Sequence, residues 1–262
     1  MQSAGEAVLA VLMTAEPAAK VMAARRAARE WRMGRLTHVF PEEMPDMPAR
    51  PSRPVLLRPR DMPRRGKGTS LTKRVALIHA LAHIEFVAID LAFDMIGRFG
   101  SEFPRAFIYD WMRVGAEEAM HFVLLDRRLR EMGSFYGALP AHDGLWDAAK
   151  DTAHDVAARL AIVPMVLEAR GLDITLQTVE RFHEQQDHLT AKVLNRIYHD
   201  EITHVSFGTK WFESRCRAQK INHYERWQQL VKLHFKGGLK PPFNDSARGA
   251  AGLTRDYYIG IE

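Results

Sequence analysis

Apolar residues recur every three or four positions through most of the chain, and this spacing predicts amphipathic helices. The first long helix begins after Ser70 and ends near Gly100, and the second has Pro104 in its first turn and ends near Gly133. Gly171 is predicted to cap the third. The predicted helices lie at about 71–99, 104–132, 144–170, 175–185, 187–217 and 222–235. No segment there alternates with period two, so essentially no sheet is expected, and the tail GGLKPPFND is predicted to be irregular.

The N-terminal part of the chain has a different pattern. Residues 3–36 are predicted to be helical, with a break near Glu16-Pro17. Residues 39–70 hold seven of the 13 prolines, a density that excludes a helix or a central strand and predicts an extended strap. We therefore divide the chain into an N-terminal segment with its strap (1–70), a helical bundle (71–217) and a C-terminal helix with a tail (218–262).

Composition indicates a soluble protein with a sizeable core. The 262 residues are 47% hydrophobic, and the single Cys216 excludes an intramolecular disulfide or a thiolate cluster. The N-terminus lacks the layout of a secretory signal. The most apolar stretch, Val75 to Gly97, carries two aspartates and a glutamate, and an acid at its centre would cost about 2.5–3.5 kcal/mol to insert in a bilayer. We expect a core helix, no membrane insertion and a cytoplasmic location.

The charge is basic, with 37 Lys+Arg against 32 Asp+Glu, and it is unevenly distributed. From Arg50 to Arg74 there are nine basic residues and only Asp61 opposes them. Such a stretch is able to follow a nucleic-acid backbone, and the alternative is a solvated wrapping segment. No aromatic residue interrupts it, so a base-stacking surface is unsupported.

Four carboxylates fall on the apolar stripes of four predicted helices: Glu85, Glu118, Glu168 and Glu201. A buried carboxylate without a partner has its pKa raised by as much as about 3–5 units, so the pattern demands a neutralising group. Two histidines, His121 and His204, follow two of these glutamates by three residues, on the same faces. A pair of metal cations is the simplest neutraliser of such a set.

The spacing of these residues repeats. Glu85 and Glu168 have the same separation in sequence as Glu118 and Glu201, and His121 and His204 share it. The sequence therefore predicts two helical hairpins, each supplying one Glu and one Glu-x-x-His, which is the ligand set of dinuclear carboxylate bundles. In the first hairpin the midpoint between the glutamates falls in the loop GSEFP. In the second hairpin the midpoint falls near Glu184. Glu168 and Glu201 reach the same height there only if the 175–185 segment continues outward along the bundle and the chain then turns back.

Roles are also predicted for residues close in sequence to the candidate ligands. Glu117 and Asp200 are predicted to hydrogen-bond the non-ligating nitrogens of the two histidine ligands, the alternative being that they face water. Tyr198 and Trp111 share faces with metal-bearing glutamates, either as redox or pocket residues or as simple core aromatics. Three other histidines lie off these faces and are expected to be packing or surface residues: His79, His83 and His199.

With these residues in view, the chain resembles the ferritin-like di-iron superfamily over about 71–217. More narrowly, AHIEFVAID, EEAMHF, VPMVLEARGLD, YHDEITHV and LKPPFND resemble an uncharacterised bacterial ferritin-like family, over the whole chain. A more distant resemblance is to the tRNA-modifying di-iron hydroxylases. These likenesses imply an all-α, ferritin-like four-helix bundle with additional N-terminal helices, a proline-rich strap and a C-terminal helix. The implied ligands are Glu85, Glu118, His121, Glu168, Glu201 and His204.

The function expected from such a site is that of an O2-activating oxidoreductase, an oxygenase or oxidase, with two metal ions as cofactors and O2 as co-substrate. Iron is the expected metal, and the oxygen and nitrogen donors leave manganese or a mixed pair open. The alternatives are a ferroxidase or iron-handling protein and a tRNA-directed hydroxylase. The substrate, an electron donor, tRNA and a second copy of the chain stay open as partners.

Overall fold

The computed structural model describes residues 1–63 and 70–261, and over these residues the chain is helical, with no strand. Two isolated bridges, Ser3 with Thr37 and Leu56 with Ala141, are the β-type pairings there. The helices are α1 Ala4–Leu12, α2 Pro17–Arg32, α3 Leu71–Phe99, α4 Arg105–Glu131, α5 Gly144–Asp151, α6 Val156–Ile162, α7 Ala169–Glu184, α8 His188–Ala218, α9 His223–His234, α10 Asp245–Ala250 and α11 Arg255–Tyr258. The predicted all-α class is confirmed. The chain forms two compact units, Met1–Asp147 and Ala148–Glu262.

The first unit begins with two short helices whose ends are set by local capping. Ser3 and Glu6 form a capping box at the start of α1, and the Glu16 carboxylate accepts the amide hydrogens of Ala18 and Ala19 at the start of α2. The break predicted at Glu16-Pro17 is therefore confirmed. α1 packs on α3, and α2 packs on α4.

The proline-dense segment forms neither an α-helix nor a strand over its described part, 39–63, and contains one 3-10 turn at Pro59–Asp61. Polar contacts hold it to other parts of the first unit. Arg50 forms an ion pair with Asp90 of α3 and a second with Asp143, at 3.3 Å. Arg98 donates to the carbonyl of Pro45 at 2.7 Å. Arg50, the first residue of the basic stretch, therefore serves to anchor the strap. Residues 64–69, which include three more of its basic residues, lie outside the described part of the chain.

Helix α3 is the long apolar helix expected from Val75 to Gly97. Within the described residues, Leu71–Glu102 is the segment long and apolar enough to cross a membrane, and most of it is buried inside the protein. This burial is what the core helix of a soluble protein shows. Its partner α4 packs along it after a short connection through a 3-10 turn, Gly100–Glu102.

The second unit corrects part of the sequence prediction. The helix expected over 144–170 is interrupted at 152–155, where Asp155 caps α6, and its last turn, Val163–Glu168, is π-helical. Gly171 caps nothing, because α7 runs through it from Ala169 to Glu184 as one helix. Glycine costs about 1 kcal/mol in a helix interior, and the strongly one-sided apolar face of α7 outweighs that cost.

The tail is irregular through Pro242, as predicted, but two short helices that were not predicted follow it. Asn244 caps α10 by accepting the amide hydrogen of Ala247. The side chains of Arg248, Tyr257 and Tyr258 are buried, so tertiary contacts stabilise these helices. Helices of six and four residues carry too little periodicity to be recognised in a sequence.

Candidate metal centre

The hairpin of α3 and α4 brings two of the predicted glutamates to the same height. Glu85 lies 14 residues before Phe99, the last residue of α3. Glu118 lies 13 residues after Arg105, the first residue of α4. Because both helices rise by about 1.5 Å per residue, equal counts from the connection mean equal heights along the pair. The prediction for the first hairpin is confirmed.

Glu85, Glu118 and His121 converge inside this hairpin. One ligand atom of each lies within 4.8 Å of those of the other two. The Nδ1 atom of His121 is 3.2 Å from Oε2 of Glu85 and 3.2 Å from Oε2 of Glu118. All three side chains are buried, with exposed fractions of 6%, 1% and 0%. These residues could bind a metal ion.

The electrostatics of this group favour a bound cation. Burial raises the pKa of Glu85 well above its usual range, and repulsion from the Glu118 carboxylate raises it further. The hydrogen bond from His121 opposes this shift. Two carboxylates that share one imidazole in a buried site are costly to ionise together, and a cation between them removes that cost.

A glycine permits the close approach of the two helices beside this group. A Cβ atom on Gly115 would lie 2.5 Å from Cε2 of Phe93, closer than any real contact. Gly115 is one turn before Glu118 on the same face of α4, so the ring of Phe93 fills the space that a side chain would take. Gly115 thereby lets α3 and α4 approach closely one turn from Glu118.

The second unit contains the other three predicted ligands, Glu168 in the turn before α7 and Glu201 and His204 on α8. The Nδ1 atom of His204 is 3.5 Å from Oε1 of Glu201, and both residues are buried. Glu168 is half-buried and is the last residue of the π-helical turn. Pro164 accounts for that turn, because it lacks an amide hydrogen and its ring displaces the carbonyl of the preceding turn. Turns of this kind occur frequently at functional sites.

Helices α7 and α8 also form the return that the second hairpin requires. α7 ends at Glu184 and α8 begins at His188, so the connection lies at the midpoint between Glu168 and Glu201. Gly208 of α8 faces Pro164, where a Cβ atom would meet the ring carbons at 2.6 Å. The small residue lets α8 approach the irregular turn that carries Glu168.

The remaining predicted site residues have the following contacts. Glu117 accepts from Arg113 at 2.9 Å and Asp200 accepts from Arg196 at 2.7 Å, each pair four residues apart on one helix. Their proposed bonds to the histidine ligands stay a prediction. Trp111 is a buried ring that packs against Phe107 in the first unit.

The three histidines predicted to be packing or surface residues contact groups other than the candidate ligands. His79 is buried, and its Nε2 accepts the amide hydrogens of Gly137, at 2.9 Å, and Leu139, at 3.4 Å. His83 is bonded through Nδ1 to the hydroxyl of Tyr136 at 2.9 Å. His199 is exposed and contacts its own helix through the carbonyl of Asn195. The expected packing and surface roles are confirmed.

Tyr136 is a residue near the site that sequence reasoning missed. Its ring lies 5.3 Å from that of Phe86 and 4.9 Å from that of Phe122, the residues that directly follow Glu85 and His121. Burial raises its pKa. Tyr136 belongs to a loop without periodicity, so no sequence signal pointed to it.

The tail motif LKPPFND is the second feature that sequence reasoning left without a role. Asn244 donates from Nδ2 to the hydroxyl of Tyr198 and to the carbonyl of Leu172, both at 3.2 Å. Arg248 makes a bidentate ion pair with Asp173, at 2.8 and 2.7 Å. The tail therefore binds α7 and α8 close in sequence to Glu168 and Glu201.

Fold and site together define an all-helical protein with a buried carboxylate–histidine group suited to a metal. The chain belongs to a family described as protein of unknown function (DUF455), which matches residues 13–259. An uncharacterized protein of Haemophilus influenzae is 38% identical over 224 residues, which cover 82% of this chain and 77% of that protein. No solved structure matches the chain.

Proposed function

We propose that this protein is a dinuclear metal protein, loaded with iron, and that it works as an O2-activating oxidoreductase. The observation that carries the proposal is the convergence of Glu85, Glu118 and His121 in a buried site of the first unit. The second unit repeats the same three residue types in the same order, each at one common offset in sequence. We propose that the two sets act together as one centre in a ferritin-like four-helix bundle of α3, α4, α7 and α8.

The donors suit the proposed metal. Carboxylate oxygens and imidazole nitrogens are ligands for iron and manganese, and the described site offers no thiolate, since Cys216 is the sole cysteine. The set has four carboxylates and two imidazoles, which is the composition found in di-iron and di-manganese bundles. The raised pKa of Glu85 fits as well, because a nearby cation would restore its ionised form.

The residues of the chain have distinct tasks in this proposal. Glu85, Glu118 and His121 would hold metal in the first unit, and Glu168, Glu201 and His204 in the second. When bound, the iron pair supplies the electrons that reduce O2. Phe86 and Phe122, which follow Glu85 and His121 in sequence, pack on each other and on Tyr136, and this apolar cluster would help to exclude water. A dry, fixed environment of this kind is what a protein contributes to metal-based oxidation.

Iron storage is the alternative within the same chemistry. A storage subunit must pack its surfaces into a shell, whereas here a strap is bound to α3 through Arg50 and Asp90, and a tail is bound to α7 through Arg248 and Asp173. These attachments occupy surface that a cage subunit would need. They support a discrete enzyme over a cage.

The ion pairs of the basic stretch weaken the case for a tRNA-directed hydroxylase. Arg50 is engaged by Asp90 and Asp143, and Arg58 is bound to Asp61 at 2.7 Å. These two guanidinium groups already have carboxylate partners and are poorly placed to bind phosphates. We therefore do not extend the proposal to tRNA.

Oxygen uptake tests the proposed function. Metal-free protein loaded anaerobically with Fe(II) should consume O2 in proportion to the protein and then stop, unless a reductant is added. Glu118→Gln should abolish this uptake, and Glu131→Gln, an exposed carboxylate on the same helix, should retain it.

Light scattering on the same sample distinguishes storage. A particle of one or two chains supports the enzyme, whereas a large cage that takes up many irons per chain would contradict it. No iron-dependent O2 uptake in a correctly folded, metal-loaded sample would contradict the oxidoreductase.

A further inference from the structure

One side of α2 is strongly basic. Arg25, Arg26, Arg29 and Arg32 follow each other at intervals that place them along one side of the helix, and all four are exposed. With a rise of about 1.5 Å per residue, they form a line of roughly 10 Å from first to last. This surface is separate from the basic stretch 50–74 and from the candidate metal ligands.

The four arginines line a groove of 1090 Å³ between α1 and α2. Its lining is otherwise mostly alanine, with Ala116 of α4 among them. A helix of about 10 Å diameter would fill this volume over roughly nine residues. The groove therefore has the size of a short helical segment, which is far more than a single ion needs.

The charge of the groove is left largely unbalanced. Within the described part of the chain, Glu30 is the one acid in the lining, and its carboxylate is 3.3 Å from Arg35 and 3.6 Å from Arg29. Among the described residues, no acid forms an ion pair with Arg25, Arg26 or Arg32. Four arginines against one glutamate make this a binding surface for an anionic partner.

The lining also selects the kind of anion. It contains no aromatic side chain on which bases could stack, which disfavours single-stranded RNA. Its apolar residues are mostly alanines, and among them Met22 is the one large side chain that is exposed, whereas a bilayer is bound by several large apolar side chains that project outward. A floor of small apolar residues with an arginine rim matches an amphipathic helix that buries small side chains and carries acids along its edges.

We propose that the groove between α1 and α2 binds an acidic amphipathic helix of a partner protein, held by Arg25, Arg26, Arg29 and Arg32. The partner would touch α4 at Ala116, two residues before Glu118. The inference stands on the groove alone and does not depend on metal at that site.

Fluorescence anisotropy with a labelled, Glu- and Ala-rich helical peptide tests this inference on the full-length protein. The peptide should bind at low salt and weaken between about 50 and about 300 mM NaCl, because salt screens exposed charges. Arg25→Glu/Arg29→Glu should weaken binding by at least about tenfold, since it reverses two rim charges. Lys192→Glu/Arg217→Glu makes the same change in net charge at exposed positions of α8. It should leave the affinity for the peptide within about twofold of that of the wild type.

Circular dichroism and thermal midpoints establish that each variant is folded. If the reversal variant does not fold, Arg25→Gln/Arg32→Gln removes charge without reversing it and takes its place. Failure of the peptide to bind, or equal losses in the groove and control variants, would overturn the proposal. Tighter binding of a uridine-rich RNA, or of vesicles containing anionic lipid, through the same arginines would overturn it as well.

Discussion

Lys20 of α2 and Asp90 of α3 form an ion pair in which both side chains are fully buried. Arg50 of the strap binds the second oxygen of the same carboxylate. Burial lowers the pKa of Lys20 and raises that of Asp90, while each group opposes the shift of the other. One aspartate therefore ties an N-terminal helix and the strap to the helix that carries Glu85.

Removal of the Asp90 carboxylate should strongly destabilise the first unit. Asp90→Ala leaves Lys20 buried without its counter-charge and Arg50 with Asp143 alone, and breaking a buried pair in this way costs about 3–5 kcal/mol. Urea denaturation measures the loss. Glu131→Ala breaks exposed pairs with Arg127 and Arg128, which solvent screens, and should cost far less than Asp90→Ala. Equal costs for the two variants would show that the buried pair is not a principal tie.

Acid should weaken the protein through His79. Burial lowers the pKa of this imidazole, and its Nε2 atom accepts two backbone amide hydrogens, so it is neutral when folded. Below about pH 6.5 the unfolded chain gains a proton that the folded chain does not take up. The stabilisation that neutral His79 contributes is fully present above about pH 6.5. Below that pH it falls by up to about 1.4 kcal/mol per pH unit, until the lowered pKa of His79 in the folded protein is reached.

Denaturation midpoints recorded from pH 7 to pH 5 check this dependence. His79→Gln should flatten the slope, whereas His199→Gln, at an exposed position, should leave it unchanged. A slope that is the same in both variants would assign the acid sensitivity to other groups.

Two helical glycines should respond in opposite directions to alanine. Gly115→Ala places a methyl group against Phe93 and should cost about 1–3 kcal/mol, because the pair has no room to separate. Gly171→Ala meets nothing within 4 Å inside α7 and should stabilise by about 0.5–1 kcal/mol. Urea midpoints measure both. A neutral Gly115→Ala would show that the contact between α3 and α4 adjusts freely.

Long periodic elements were predictable, since their apolar stripes extend over many turns. The two helices of the first hairpin were predicted to within a residue or two because Ser70, Pro104 and Gly133 mark their ends. The convergence of Glu85, Glu118 and His121 was predictable for the same reason: equal distances from a connection fix equal heights.

The features that the sequence did not reveal depend on tertiary contacts. The π-helical turn that ends at Glu168 contains Pro164, whose ring packs against Gly208 of α8, and no local pattern encodes that contact. The continuation of α7 through Gly171 depends on packing that overrides glycine's preference. The sequence around Arg50 predicts a solvated or phosphate-binding residue, because its partner Asp90 is far away in the sequence.

The metal content of the purified protein tests the central claim most directly. Protein prepared without chelator should contain about two metal ions per chain by elemental analysis. Glu118→Gln and Glu201→Gln should each lose most of this metal while remaining folded, and Glu131→Gln should keep it. Metal content that is unchanged in Glu118→Gln and Glu201→Gln, or a folded wild-type protein that takes up no iron or manganese, would contradict the account.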